Sequence, residues 1–398
     1  MRAHVNVELP ASRGLLRQRD GHHARVTFEE LFFDLVYVFA VTQLSHELLH
    51  NLTFSGVVET LVLWFAVWLG WQYTCWVTNW FNPETPAVRS LLFAVMLLGL
   101  LMTSAIPEAF GDRGLVFASA YVAIQVGRTA VILAMLGRDS PLTPNFRRMF
   151  GWLVISGVFW IAGGLAEGHW RLALWAVAVL CEYLSPMIGF ALPGLGRSET
   201  REWTIEGGHL AERCQLFVIV ALGETILATG ATLTEAEIWS PPILSGLLAT
   251  FLGTLAMWWL YFGTSSKDAS EVISKSGDPG RIGAYFHYVH AILVAGIIVT
   301  AVGNDLVLAH PLGRLGTTEV IALVAGPAIY LLGSAVYKQV VYGRIPGSHV
   351  AGIIALLVLV PVAYASDLLA MGWLTTVVML AVSVLEARAQ RRRRSVPA

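Results

Sequence analysis

Residues 28–46 read Phe28-Glu29-Glu30-Leu31-Phe32-Phe33-Asp34-Leu35-Val36-Tyr37-Val38-Phe39-Ala40-Val41-Thr42-Gln43-Leu44-Ser45-His46. From Leu31 the stretch is almost continuously apolar, yet three carboxylates stand at its mouth and a histidine near its far end. A helix of about 20 such residues crosses the roughly 30 Å hydrocarbon core of a bilayer. An ionised group inside it is costly in lipid, so it turns toward a protein interior and marks a functional position. On the 3.6-residue period Glu30, Asp34, Tyr37 and Val41 share one face.

The rest of the chain repeats this pattern. Of 398 residues, 56% are apolar and only 13% charged, against about 25% charged in an ordinary soluble domain. The fold class expected is therefore an all-α polytopic membrane protein of about 12 transmembrane helices. The predicted spans are 29–49, 55–77, 88–106, 114–136, 148–166 and 169–190, then 208–230, 242–264, 283–303, 317–337, 349–366 and 368–387. They form a single transmembrane domain over 28–387, divisible into halves 28–190 and 208–387, between a polar tail over 1–27 and a basic tail over 388–398. Residues 1–27 show no cleavable signal pattern, so the first span reads as an uncleaved start of topology. The longest connections, near 191–207 and 265–282, are too short for a soluble domain.

Basic residues orient the spans. With the N-terminus inside, all but four of the 26 Lys and Arg residues fall on the cytoplasmic side, the exceptions being Arg113, Arg171 and Arg314 outside and Arg128 within a span. That is the asymmetry of the positive-inside rule, and it predicts twelve spans with both termini cytoplasmic. The run Arg391–Arg394 reads as an orienting signal or as a site for anionic lipid. Trp80, Trp170, Trp203 and Trp239 lie near span ends, where interfacial tryptophans are expected. Trp64, Trp68 and Trp71 form an i, i+4, i+7 stripe, read as packing. Cys75, Cys181 and Cys214 have neither metal-site nor disulfide spacing and read as packed thiols.

Leu31–Val36 in the first span is echoed by Leu216–Ala221 in the seventh, and Trp71-Gln72-Tyr73 in the second by Trp258-Trp259-Leu260-Tyr261 in the eighth. A parallel 6+6 repeat and a chance likeness of short apolar runs both fit these echoes.

Topology collects Glu30, Asp34, Arg128, Glu182, Glu212, Arg213, His287 and His290 in the cytoplasmic half. Arg128 lies about 12 Å from the inner end of its helix at 1.5 Å per residue. A sparser outer group contains His46, Glu47, Glu59, Glu224 and Asp305. Glu224, in Gly223-Glu224-Thr225, lies roughly 21 Å from the inner end of its helix. A carboxylate at that depth requires hydrogen-bond partners or a proton. Two readings remain open: interhelical ion pairs, Arg128 with Asp34 or Glu182 and Arg213 with a neighbouring carboxylate, or an ion or proton path with a histidine that titrates near neutral pH. Pro186, Pro327 and Pro361 break their spans locally, and carbonyls freed there can line a cavity.

Other chemistries lack their signatures. His287 and His290 lack the partner glutamate of a zinc helix. No Gly-x-Ser-x-Gly lies inside a span, and no Gly-x-x-x-x-Gly-Lys-[Ser/Thr] occurs anywhere. Nothing asks for a metal, a cofactor or a nucleic-acid partner, and an enzyme is the less favoured class.

Phe28–His46 resembles the opening signature of the bacterial low temperature requirement A family, an aromatic-Glu-Leu-Phe-Phe-Asp-Leu-Val segment followed by a Gln-Leu-Ser-His-like stretch. Glu212-Arg213-Cys214-Gln215-Leu216-Phe217-Val218-Ile219-Val220-Ala221-Leu222-Gly223-Glu224 is similar to the family's Glu-Arg-x-x-Leu-Phe-x-Ile-x-Leu-Gly-Glu segment, and Tyr285–His290 is a weaker third match. The resemblance covers essentially the whole chain. It implies motif positions at Glu30, Asp34, Glu212, Arg213 and Glu224, and a link to growth in the cold, which is a phenotype rather than an activity. Phe32-Phe33-Asp34 also resembles the Phe-Ser-Asp motif of a potassium channel family built from two six-helix repeats. Phe33 replaces its serine, and Phe28 stands where its arginine would be.

The function expected is a permease or channel-like protein for a small cation or protons in the lipid bilayer. Asp34 and Glu224 would be the interacting groups, and Arg128 and Arg213 the fixed counter-charges. The alternative is a non-transporting membrane scaffold or lipid-modifying envelope protein. The sequence names neither the ion nor the oligomeric state.

Overall fold

The computed structural model describes residues 14–17, 24–203, 205–264, 272–273 and 276–394. Arg2, Arg13, Arg19, Lys267 and Lys275, used above for orientation, lie outside them. The described residues contain no β-strand, and twelve helical rods coincide with the twelve expected spans. They are α1 Phe28–His50, α2 Phe54–Trp80, α3 Pro86–Ser104, α4 Gly114–Leu136, α5 Thr143–Leu165, α6 Gly168–Met187, α7 Gly207–Glu235, α8 Pro241–Gly263, α9 Pro279–Ala309, α10 Thr317–Tyr342, α11 Gly347–Ala363 and α12 Leu368–Arg394. Among the described residues, nine of these are long and apolar enough to cross a membrane. Polar side chains dilute α1 and α6, and α11 has 17 residues. Residues 388–394, expected in a tail, continue α12 as helix.

Local chemistry sets the helix ends. Thr27 and Glu30 form a capping box at the start of α1: the Thr27 amide donates to Glu30 Oε2 at 2.9 Å, and the Glu30 amide to Thr27 Oγ1 at 3.4 Å. Pro86 and Pro241 open α3 and α8, where a missing N–H costs nothing. Asp278 caps α9 by accepting from the Arg281 amide at 3.0 Å, and Asp367 caps α12 by accepting from the Ala370 amide at 2.7 Å. The latter capping resolves the tight Ser366-Asp367 turn.

The chain divides into two compact units. The first contains residues up to Tyr37 and Phe65–Glu206, and the second Val38–Trp64 and Gly207–Ala398. Both α1 and α2 are therefore shared, and the division is not the simple halving at 190 and 208. In the first unit α6 packs on α5, and α5 on α4. In the second, α9 packs most extensively, against α10 and α7, and α12 packs against α8. Gly296 and Gly326 permit the α9–α10 approach: a Cβ on Gly296 would lie 2.5 Å from the Tyr330 amide nitrogen, and one on Gly326 2.6 Å from that of Thr300. Small residues serve this purpose in membranes, where close packing replaces the hydrophobic drive.

Of the four tryptophans expected near span ends, two are buried in the protein. Trp80 and Trp203 are each 6% exposed, whereas Trp170 and Trp239 are 65% and 61% exposed. Trp76 lies 5.6 Å from Trp80 and 5.4 Å from Trp203, ring to ring, and Phe146 lies 5.6 Å from Trp80. Trp64, Trp68 and Trp71 are buried, as a packing stripe should be.

Candidate functional site

In the first unit, Glu182 of α6 sits at the centre of a closed network. Its Oε1 accepts from Ser156 Oγ at 2.7 Å and Trp160 Nε1 at 3.0 Å, both on α5. Its Oε2 accepts from the Tyr121 hydroxyl and from Gln125 Nε2 at 3.4 Å, both on α4. The expected ion pair of Arg128 with Asp34 or Glu182 does not form. Arg128 donates instead to Gln125 Oε1 at 2.6 Å and to Thr74 Oγ1 of α2 at 2.8 Å. Gln125 thus links the guanidinium to Glu182 through its amide. A π-helical turn at Ala123–Gly127 immediately precedes Arg128 and shifts the faces of both residues. Asp34 accepts from Trp71 Nε1 at 2.7 Å, and Tyr37 lies within electrostatic reach of Asp34 and Arg128. Glu30, besides capping, pairs with Arg17 at 2.7 Å. Arg17 also donates through Nε to the Thr78 carbonyl at 2.6 Å, near the C-terminal end of α2. Glu30 is thereby a structural anchor.

In the second unit, Glu212 is half-buried and Arg213 buried, both in the early turns of α7. Arg213 and His209 lie within electrostatic reach of His287 on α9. His287 Nδ1 lies 3.1 Å from the Gly283 carbonyl and His290 Nδ1 2.6 Å from that of Phe286. A carbonyl only accepts, so each Nδ1 carries the proton. His290 Nε2 lies 2.7 Å from the Tyr261 hydroxyl of α8. Among the described residues, no group of three or more His, Cys, Asp or Glu side chains is arranged to hold a metal ion.

Glu224, halfway along α7, is buried and meets the far half of α1. Its Oε2 accepts from Thr42 Oγ1 at 2.5 Å and its Oε1 from Ser45 Oγ at 3.2 Å. Both hydroxyls have a second acceptor in place: the Val38 carbonyl lies 3.3 Å from Thr42 Oγ1, and the Thr42 carbonyl 3.0 Å from Ser45 Oγ. Ser45 also lines a cleft of about 260 Å³ with His46, His50, Thr232, Glu235 and Asp305. Asp305 accepts from Thr232. The cleft lies at the C-terminal ends of α1, α7 and α9, whose last carbonyls carry partial negative charge. Of the expected outer group, His46 and Asp305 line the cleft and Glu224 touches its Ser45, whereas Glu47 and Glu59 do not line it. Pro327 of α10 lines a second, smaller cavity of about 20 Å³, beside Thr300, Asn304 and Thr375. That volume holds about one water.

Sequence reasoning missed a third buried cluster. Lys338 near the end of α10 pairs with Glu386 of α12 at 2.8 Å, both buried. Arg344 approaches the same Oε1 at 3.4 Å, and Ser348 Oγ donates to Oε2 at 2.9 Å. The buried His349 contacts Ser348 Oγ at 3.2 Å and Ser334 Oγ at 2.9 Å. Lys338 also donates to Thr264 Oγ1 at 3.1 Å.

These features define a polytopic helical membrane protein with closed charge networks in its interior and one buried carboxylate beside a cleft. The chain belongs to the bacterial low temperature requirement A (LtrA) family, whose pattern matches residues 25–384. It is also similar to an uncharacterized protein of Rhizobium meliloti (strain 1021), RA0937, at 40% identity over 375 residues, covering 93% of this chain and 91% of the relative. No solved structure matches it.

Proposed function

We propose that the protein moves protons or a small cation across the bacterial cytoplasmic membrane, with twelve spans, both termini in the cytoplasm and a six-and-six order of helices. The distribution of basic residues supports this orientation, and it puts the cleft on the outer face. The observation that carries the proposal is Glu224 held by Thr42 and Ser45 beside that cleft. His46, His50, Glu235 and Asp305, with three helix C-termini, supply the charge and dipoles that attract cations. Ser45 touches both cleft and carboxylate, so one hydroxyl separates solvent from Glu224. When Glu224 takes up a proton, Thr42 or Ser45 turns its own hydrogen to the backbone carbonyl already within reach and accepts from the acid. Neither protonation state orphans a partner. Asp34, which accepts from the Trp71 N–H, is assigned an ion-interacting role at the first motif without the rotating-hydroxyl exchange, and Arg128 and Arg213 remain fixed positive charges.

The test is flux of protons, sodium and potassium in proteoliposomes, with Glu224→Gln and Asp34→Asn compared with the wild-type protein. A loss of ten-fold or more at unchanged insertion and expression is expected. Undiminished flux in Glu224→Gln sinks the assignment, and absent flux in folded wild-type protein sinks the proposal. The second reading, a non-transporting scaffold or lipid-modifying protein, is favoured by the closed network at Glu182. It predicts altered lipid composition in a cold-grown deletion strain.

A further inference from the structure

Helices α8 and α12 are joined by three side-chain contacts in constant register. Trp373 Nε1 donates to Ser245 Oγ at 2.9 Å, Thr376 Oγ1 to the Ala249 carbonyl at 3.0 Å and Ser383 Oγ to the Ala256 carbonyl at 3.2 Å. Residue numbers rise together on the two helices, so they run parallel. A π-helical turn, Trp259–Gly263, closes α8, while α12 continues to Arg394. Between them lies a groove of about 310 Å³.

The groove is chemically graded. Small residues, Ala256, Ser383 and Ala387, line it, with Leu255, Leu380, Val384 and Trp259 beside them. Arg388 and Arg391, one turn apart on α12, complete the lining at one end, and both are exposed. Neither arginine has a hydrogen bond or ion pair among the described residues, and neither does the half-exposed Trp259 indole. Ser383 is already satisfied by backbone carbonyls, so the apolar part presents no unmet polar demand. An apolar channel ending in two guanidinium groups and an indole N–H is complementary to an acyl chain bearing a negatively charged headgroup.

We infer that this groove binds one anionic phospholipid of the surrounding bilayer, its acyl chain along Leu255, Leu380 and Val384 and its phosphate between Arg388 and Arg391. The inference is independent of the transport proposal. An orienting role accounts for basic residues at this end of α12 but not for two of them lining the mouth of an apolar groove. Charge selects the headgroup, and the small residues leave room for the chain.

The test is native mass spectrometry of the full-length protein in detergent, titrated with phosphatidylglycerol or with phosphatidylcholine. Wild type should retain one phosphatidylglycerol in preference to phosphatidylcholine. Arg388→Gln/Arg391→Gln should weaken that retention roughly 10- to 30-fold, as expected for two basic residues at a membrane surface. Ala387→Phe, which keeps both arginines but fills the groove, should also lose it. Both arginines are exposed, so the double variant leaves folding intact, and an unchanged melting temperature verifies that. Equal retention of both lipids by wild type, or undiminished retention by the arginine variant, overturns the proposal. Displacement of the lipid by an equal concentration of inorganic phosphate also overturns it, because the chain would then contribute nothing.

Discussion

Glu182 of α6 and Glu224 of α7 are both buried carboxylates, but their partners differ in kind. Two of the four donors to Glu182, Trp160 Nε1 and Gln125 Nε2, are N–H groups that cannot become acceptors. The Gln125 amide is further committed, because its oxygen already accepts from Arg128. Glu224 is held only by the hydroxyls of Thr42 and Ser45, which donate or accept by rotating. One site is held in part by donors that cannot reverse, the other only by donors that can. Under the transport proposal, that difference in partners rather than burial is what separates a carboxylate that fixes helices from one that exchanges a proton.

The largest effect that bears on this contrast belongs to neither residue. Glu386 pairs with the buried Lys338, and breaking a buried pair from one side costs about 3–5 kcal/mol. Glu386→Leu, which leaves the lysine without this carboxylate, should lower the unfolding midpoint in detergent more than any other single change considered. Lys338→Met/Glu386→Leu should recover most of the loss, because an apolar pair of similar volume is tolerated there. If the double variant is no more stable than the single one, the pair is not the source of the cost, and charge locking is the wrong frame for Glu182 as well.

Glu182→Gln comes next. With the new amide nitrogen toward Tyr121 and Gln125, Gln125 Nε2 keeps the Tyr121 hydroxyl, 3.0 Å away, but loses the Glu182 oxygen. Turned the other way, the Trp160 N–H loses the oxygen it donates to. Each flip removes one acceptor from a buried N–H, at about 1–3 kcal/mol. The expected result is a lower melting temperature with little change in flux per folded molecule, read by pairing thermal unfolding with the proteoliposome assay. A loss of flux at full stability would move Glu182 from the scaffold to the path.

Much of this architecture was legible in the sequence, and the failures share a cause. Apolar run length places every rod, because a membrane demands about 20 residues whatever their neighbours. Depth along the membrane normal follows from counting residues, but direction around the helix does not. Arg128 was therefore set beside the right carboxylates in depth and paired wrongly: a π turn at Ala123–Gly127, invisible in composition, presents it to Gln125 and Thr74. Glu224 was recognised as a site, but Thr42 and Ser45 were not, since helical hydroxyls ordinarily satisfy themselves on their own backbone. Lys338 was assigned to the cytoplasmic edge because its span was ended at 337, whereas α10 continues to Tyr342.

The smallest expected effect is the most discriminating. Glu224→Gln gives its two hydroxyl partners an amide that both donates and accepts. Thr42 and Ser45 can rotate to meet it or turn to the Val38 and Thr42 carbonyls. No existing N–H loses its acceptor, and one of the two new amide hydrogens meets a hydroxyl, so the stability cost should be less than for the same exchange at Glu182. Thr42→Val removes one rotating hydroxyl at nearly constant shape, and in a double-mutant cycle it should show little coupling to Glu224→Gln in stability. In flux the two should be strongly non-additive, because either change breaks the same proton-accepting unit. Strong coupling in stability without any in flux would make Glu224 a second Glu182, a helix-locking carboxylate that happens to lie near a cleft.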